Sequence, residues 1–67
     1  MTILVNDDPR EISPGLSLSQ FMETLALPSF NGIAVAVNNE LAPRPTWGQR
    51  LLAKGDQLLI IQATQGG

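Results

Sequence analysis

The chain contains no cysteine and no histidine. The first absence excludes disulfides and thiolate metal sites. The second removes the commonest metal ligand and the commonest general base near neutral pH. Basic residues are few. Arg10, Arg44, Arg50 and Lys54 are scattered, and the net charge is −2. No basic stripe runs along the sequence to follow a phosphate backbone, so nucleic acid is not an expected partner. Long apolar runs are missing as well. The opening run "TILV" is short and two acids, Asp7 and Asp8, follow it closely, unlike a signal peptide. No stretch approaches the length of a membrane span. The expectation is a cytoplasmic protein with no membrane partner.

What remains is enough for one small domain. At 67 residues there is no room for a second. A domain of this size buries roughly 60% of its unfolded surface, so the core is small but feasible. Apolar residues make up 43% of the chain and charged residues 15%, a balance that fits a folded globular protein.

"TILVN" (2–6) is rich in β-branched and apolar residues and reads as a first strand. "DDP" reads as a turn, and "REIS" (10–13) as a returning second strand that "PG" ends. The period then changes. Leu18, Phe21, Met22 and Leu25 stand at helical spacing. Ser17 is the expected N-cap, with Gln20 completing a capping box. Pro28 marks the expected end. "IAVAVN" (33–38) is a third strand, with Ile33, Val35 and Val37 on one face and Ala34 and Ala36 on the other. Asn38–Asn39 is a tight turn. "ELAP" is a short edge strand bounded by Pro43 and Pro45. "TWGQRLL" fits a helical turn or a loop, and "KGD" is a turn. "QLLIIQAT" (57–64) is a last, central strand. The pattern is α+β: a mixed sheet with one main helix packed on one face.

The side chains offer no catalytic constellation. Asn6, Asp7 and Asp8 present three oxygens, but the rest of a calcium loop is absent, so they read as a hairpin turn and no metal site is expected. The serine and threonine hydroxyls have no histidine to activate them. Trp47 reads as a packing residue. The sequence closes on "TQGG", directly after the last strand. A carboxylate on Gly67 is ionised at neutral pH and is a poor electrophile until it is activated. Glycine has no Cβ, so Gly66 and Gly67 can thread a narrow channel. At about 3.3 Å per residue, Gln65 to Gly67 reach roughly 10 Å from the sheet. The expected division is a domain over residues 1–63 and a flexible tail over 64–67.

Four segments carry a resemblance: "ILVND", "NGIAVAVNNELAPRPTW", "KGDQLLIIQA" and the closing "GG". Together they cover nearly the whole chain, and it resembles the ThiS family, the sulfur carriers of thiamine thiazole synthesis. The middle segment is the most specific, with its PR-x-x-W pattern. The resemblance implies a ubiquitin-like β-grasp fold. It also implies that the chain is a protein cosubstrate, not an enzyme. Gly67 would be adenylated by an E1-like activating enzyme using ATP, with no cofactor bound to the carrier itself. A cysteine desulfurase relay would supply sulfur to make a thiocarboxylate, and thiazole synthase would accept it. Leu59, where family members often carry a charge, and Gln65 depart from the family pattern. The closing glycines alone would also fit a molybdopterin sulfur carrier or a ubiquitin-like modifier. A plain interaction module would need no such tail.

In a β-grasp sheet the last strand lies between the first and the third. With Leu58 and Ile60 toward the helix, Leu59 and Ile61 face outward beside Ala34, Ala36 and Leu4. That would leave an apolar patch at the root of the tail, expected to dock both the activating enzyme and the thiazole synthase.

Overall fold

The structure, a computed structural model, describes residues 1–62. Its order is β1 (Thr2–Val5), β2 (Asp8–Glu11), α1 (Leu18–Thr24), β3 (Ile33–Val37), β4 (Glu40–Ala42), a 3-10 helix (Arg44–Gln49) and β5 (Gln57–Gln62). The five strands form one mixed sheet in the order β2-β1-β5-β3-β4. β5 runs parallel to β1 and antiparallel to β3. This is the ubiquitin-like β-grasp architecture that the resemblance implies, with β5 at its centre.

Two hairpins are closed by the same chemistry. Asn38 and Asn39 both have positive φ, 52° and 69°, the pairing that a type I′ turn requires. Asn6 and Asp7 do likewise, at 51° and 71°. The first turn is therefore Asn6–Asp7 and not Asp7–Pro9, and β2 starts at Asp8, two residues before the expected Arg10. Pro9 is tolerated inside β2 because of where it falls. Met1 and Ile12 exchange both backbone bonds, so hydrogen-bonded pairs alternate from there and Pro9, opposite Leu4, lies at a non-bonded position of an edge strand.

α1 begins as its sequence directs. The Gln20 backbone N–H donates to Ser17 Oγ at 3.1 Å, and Gln20 Oε1 accepts from the Ser17 N–H at 2.9 Å. Leu18, Phe21 and Met22 bury its apolar face. The helix stops at Thr24, before the expected Pro28, because Ala26 turns left-handed at φ 54°. The ambiguous segment around Trp47 is a 3-10 helix. The Thr46 N–H and hydroxyl both bond the Pro43 carbonyl, at 2.8 and 2.6 Å. Gly55, at φ 82°, supplies the left-handed turn before β5, and its N–H donates to the Thr2 carbonyl at 2.9 Å.

The core lies between the helix and one face of the sheet. Ile3 and Val5 of β1, Val35 and Val37 of β3, and Leu58 of β5 meet Leu18, Phe21 and Met22 of α1. Trp47 closes one end. It is buried, its Nε1–H donates to the Ala42 carbonyl at 2.8 Å, and Phe30 packs against it in a T-shaped pair with 5.7 Å between centroids. Arg44 lies over Phe30 at 5.2 Å.

Candidate functional site

Strand alternation decides what the other face of the sheet presents. Leu58 is 3% exposed, while its neighbours along β5, Leu59 and Ile61, are 49% and 53% exposed. Cross-strand register completes the surface. Ile61 stands opposite Ala34, Leu59 opposite Ala36, and Gln57 beside Leu4 of β1. Leu4, Ala34, Ala36, Leu59 and Ile61 thus share one face, with α1 packed on the other. The alanines keep the middle of that face low, so a partner's backbone could approach the sheet.

Register adds two residues that the sequence reading did not include. Leu41 of β4 stands opposite Ala36 and is 71% exposed, and Pro9 of β2 stands opposite Leu4. The signal for Leu41 was present in "ELAP": with Ala42 turned inward, alternation turns Leu41 outward. Five strands therefore contribute to a largely apolar surface at Leu4, Pro9, Ala34, Ala36, Leu41, Gln57, Leu59 and Ile61, and Glu11 of β2, opposite Thr2, puts a charge on the same face at its β2 edge. A shallow depression of about 170 Å³ opens at one end, lined by Leu4, Asn6, Asp7, Asn39, Gln57, Leu58 and Leu59.

Polar side chains brace this end of the sheet. Asn38 Oδ1 accepts from the Gln57 N–H at 2.9 Å, and its Nδ2 donates to Asp56 Oδ1 at 3.0 Å. Asp56 Oδ2 accepts from the Ala53 N–H at 2.8 Å. Asn6 bonds Ile60. The "NDD" residues thus serve the hairpin and the ladder. Among the described residues no group of three or more Asp and Glu side chains could hold a metal ion, and no helix is long and apolar enough to cross a membrane. At the far edge, Glu11 has its pKa lowered, first by the Thr2 hydroxyl that donates to it and then by the Met1 ammonium.

The candidate modified residue Gly67, with its tail neighbours Gly66 and Gln65, lies outside the described residues, as does the expected end of the last strand at Thr64.

A family model described as the ThiS family matches residues 3–67. Over 67 residues the chain is 34% identical to the sulfur carrier protein ThiS of Escherichia coli (strain K12), covering 100% of both chains. Among solved structures it is similar to the crystal structure of a thiamine biosynthesis protein (ThiS) from Geobacter metallireducens, with a TM-score of 0.85 and 20% identity over 100% of both chains. It is also similar to the solution structure of a thiamine biosynthesis protein from the same organism. There the TM-score is 0.79 and the identity 20%, over 100% of this chain and 88% of that one. The structural likeness supports the fold, and the sequence matches carry the kinship: the chain belongs to the ThiS family.

Proposed function

We propose that the chain is a sulfur carrier for thiazole formation in thiamine biosynthesis, and that Gly67 is its reacting residue. One observation carries this: the family match runs through Gly67 and so takes in the closing Gly66–Gly67 pair. In this reading the Gly67 carboxylate attacks the α-phosphate of ATP on an E1-like activating enzyme and expels pyrophosphate. The resulting acyl-adenylate is a good electrophile. A persulfide of a cysteine desulfurase relay attacks its carbonyl carbon, and AMP departs with one of the original carboxylate oxygens. A second thiol of the relay then cleaves the resulting acyl disulfide, closing a disulfide in the relay and releasing the thiocarboxylate on Gly67. The thiocarboxylate then gives its sulfur to thiazole synthase. The carrier's own side chains catalyse no step. The fold supplies a handle, and the apolar middle of the sheet's outer face is the surface by which both partners hold it. Its exposed Leu59, Ile61 and Leu41 support that assignment, because contiguous exposed apolar surface at the root of a reactive tail suits a docking role.

The test is mass spectrometry of the C-terminal peptide after incubation with ATP, the activating enzyme and a sulfur source. Exchanging oxygen for sulfur adds nearly the same mass as oxidising Met1 or Met22, so the shift must be placed on Gly67 and must be alkylated by a thiol reagent. Reactive sulfur on Gly67 is the expected result. A Gly67 that stays a carboxylate, while the same enzymes turn over a control carrier, overturns the reading.

A further inference from the structure

β1 ends before β5 does. Leu4 pairs with Gln57 and Val5 with Leu58, so Leu59 onward lies past the last residue of β1. The ladder nevertheless continues. The Asn6 N–H donates to the Leu58 carbonyl at 2.9 Å. In an unbroken parallel ladder the next bond would run from the Ile60 N–H to the Asn6 carbonyl. The Asn6 backbone has already turned away at φ 51° to enter the hairpin. Its side chain takes the place of the missing strand. Oδ1 accepts from the Ile60 N–H at 2.8 Å, and Nδ2 donates to the Ile60 carbonyl at 3.3 Å.

One side chain therefore brackets both backbone polar groups of Ile60. Asparagine suits the position for three reasons at once. It tolerates a left-handed backbone, and its short amide carries both an acceptor and a donor. Ile60 lies between Leu59 and Ile61, the two exposed apolar residues of β5. It is also where β5 has lost its β1 neighbour on the way to the tail. A strand gripped on only its β3 side at this point would fray, and the docking surface would fray with it.

We infer that Asn6 is a positioning residue of the carrier: it clamps β5 at Ile60 and thereby presets the outer face and the root of the tail for the activating enzyme. The inference rests on the function proposed above. Asn6 touches no reacting atom, and its effect is preorganisation, which lowers the cost of binding.

The experiment compares the wild type with Asn6→Gly and Asn6→Asp. Glycine keeps the backbone conformation and removes both side-chain bonds. Aspartate keeps the acceptor and loses the donor. Hydrogen exchange is read at the Ile60 amide, and ATP–pyrophosphate exchange is measured with the activating enzyme as the full-length carrier is titrated. Asn6→Gly is expected to speed Ile60 exchange roughly tenfold, the equivalent of one net hydrogen bond. It should also raise KM for the carrier about threefold or more at unchanged kcat. Asn6→Asp should restore much of both. An unchanged Ile60 exchange rate overturns the clamp. Faster exchange with an unaltered KM overturns the positioning role and leaves Asn6 a structural residue. If the wild-type carrier supports no pyrophosphate exchange while a control carrier does, the proposed function itself fails, and the positioning role goes with it.

Discussion

Leu58 and Ile61 lie on one strand and face opposite ways, so two substitutions separate the core face from the presented face. Leu58 is 3% exposed and stands between Val5 and Val37. Leu58→Ala should cost about 2–5 kcal/mol. At roughly 0.05–0.15 kcal/mol per residue, the whole domain has only about 3–10 kcal/mol to lose. The melting temperature should drop by about 10 °C or more. Ile61 is 53% exposed. Full burial of such a side chain is worth about 1.5–3 kcal/mol, so about half of that is at stake. A glutamate keeps an aliphatic stem over Ala34, which brings the loss in Ile61→Glu below about 1 kcal/mol. In a docked complex the same carboxylate would be stripped of water without a partner. A penalty of at least about 1.4 kcal/mol corresponds to a tenfold weaker complex. Thermal melts give the stabilities, and calorimetric titration against the activating enzyme gives the affinity. The reasoning predicts a large melting shift with Leu58→Ala, and a small shift with weakened binding for Ile61→Glu. If Ile61→Glu unfolds the domain as Leu58→Ala does, the face is packed and not presented. If it binds like the wild type, the partners dock elsewhere.

Other substitutions probe the supports of this surface. Ser17→Ala removes the Oγ that caps α1 while sparing the Ser17 N–H bond, and should cost about 1 kcal/mol in chemical denaturation. Trp47→Phe keeps an aromatic ring but leaves the Ala42 carbonyl without its Nε1–H donor; the expected loss is about 1–3 kcal/mol, read by circular dichroism because the sole tryptophan is gone. Ala26→Gly relieves a left-handed alanine and should stabilise by about 0.5–1 kcal/mol, seen as a higher melting temperature. Glu11 is held below its ordinary pKa of 4.5 by the Thr2 hydroxyl and the Met1 ammonium. A lowered folded-state value means stability that is present above the unfolded pKa and lost as pH falls through the folded one. Glu11→Gln should therefore flatten the acid limb of a melting profile below about pH 4.5 and lower the melting temperature slightly at neutral pH.

Features set by local chemistry were legible in the sequence. The capping box of Ser17 and Gln20 needs only neighbours along the chain and forms as read, and so does the stripe over Leu18, Phe21 and Met22, while Leu25, its fourth expected member, is the C-cap. The Asn38–Asn39 turn is equally local. Where local signals compete, the pairing partner decides. Pro9 looks like a strand breaker, yet a non-bonded edge position asks nothing of its missing N–H, so the turn moves back to Asn6–Asp7. Pro28 looks like the stop of α1, yet Ala26 ends it first. Leu41 and Asn6 were missed for a different reason. Alternation within "ELAP" turns Leu41 outward, but that it joins the face of Leu59 depends on its lying across from Ala36, as the bracket of Asn6 depends on Ile60, and that register is not written in either segment alone.

The disposition of β5 ties these observations to function. A sheet covered by a helix on one side must leave its other side in water, and the ordinary remedy is a polar outer face. This chain instead places Leu59, Ile61 and Leu41 there, with alanines between them. In a domain with so little core, moving those residues inward is not available, since the helix face already holds Leu58, Val35 and Val37. Keeping them outside carries a risk of self-association that polar residues would avoid. Under the proposed function, a carrier picked up and released by more than one enzyme has a use for such a face. Apolar contact over small side chains is non-directional, so the same surface can fit differently shaped partners. In the proposed function the route of the tail cannot be non-directional, because its reacting carbon has to be held in near-attack geometry. Under the proposed function the labour divides: the outer face supplies adhesion, and the Asn6 side chain, bonded to Ile60 beside it, supplies aim.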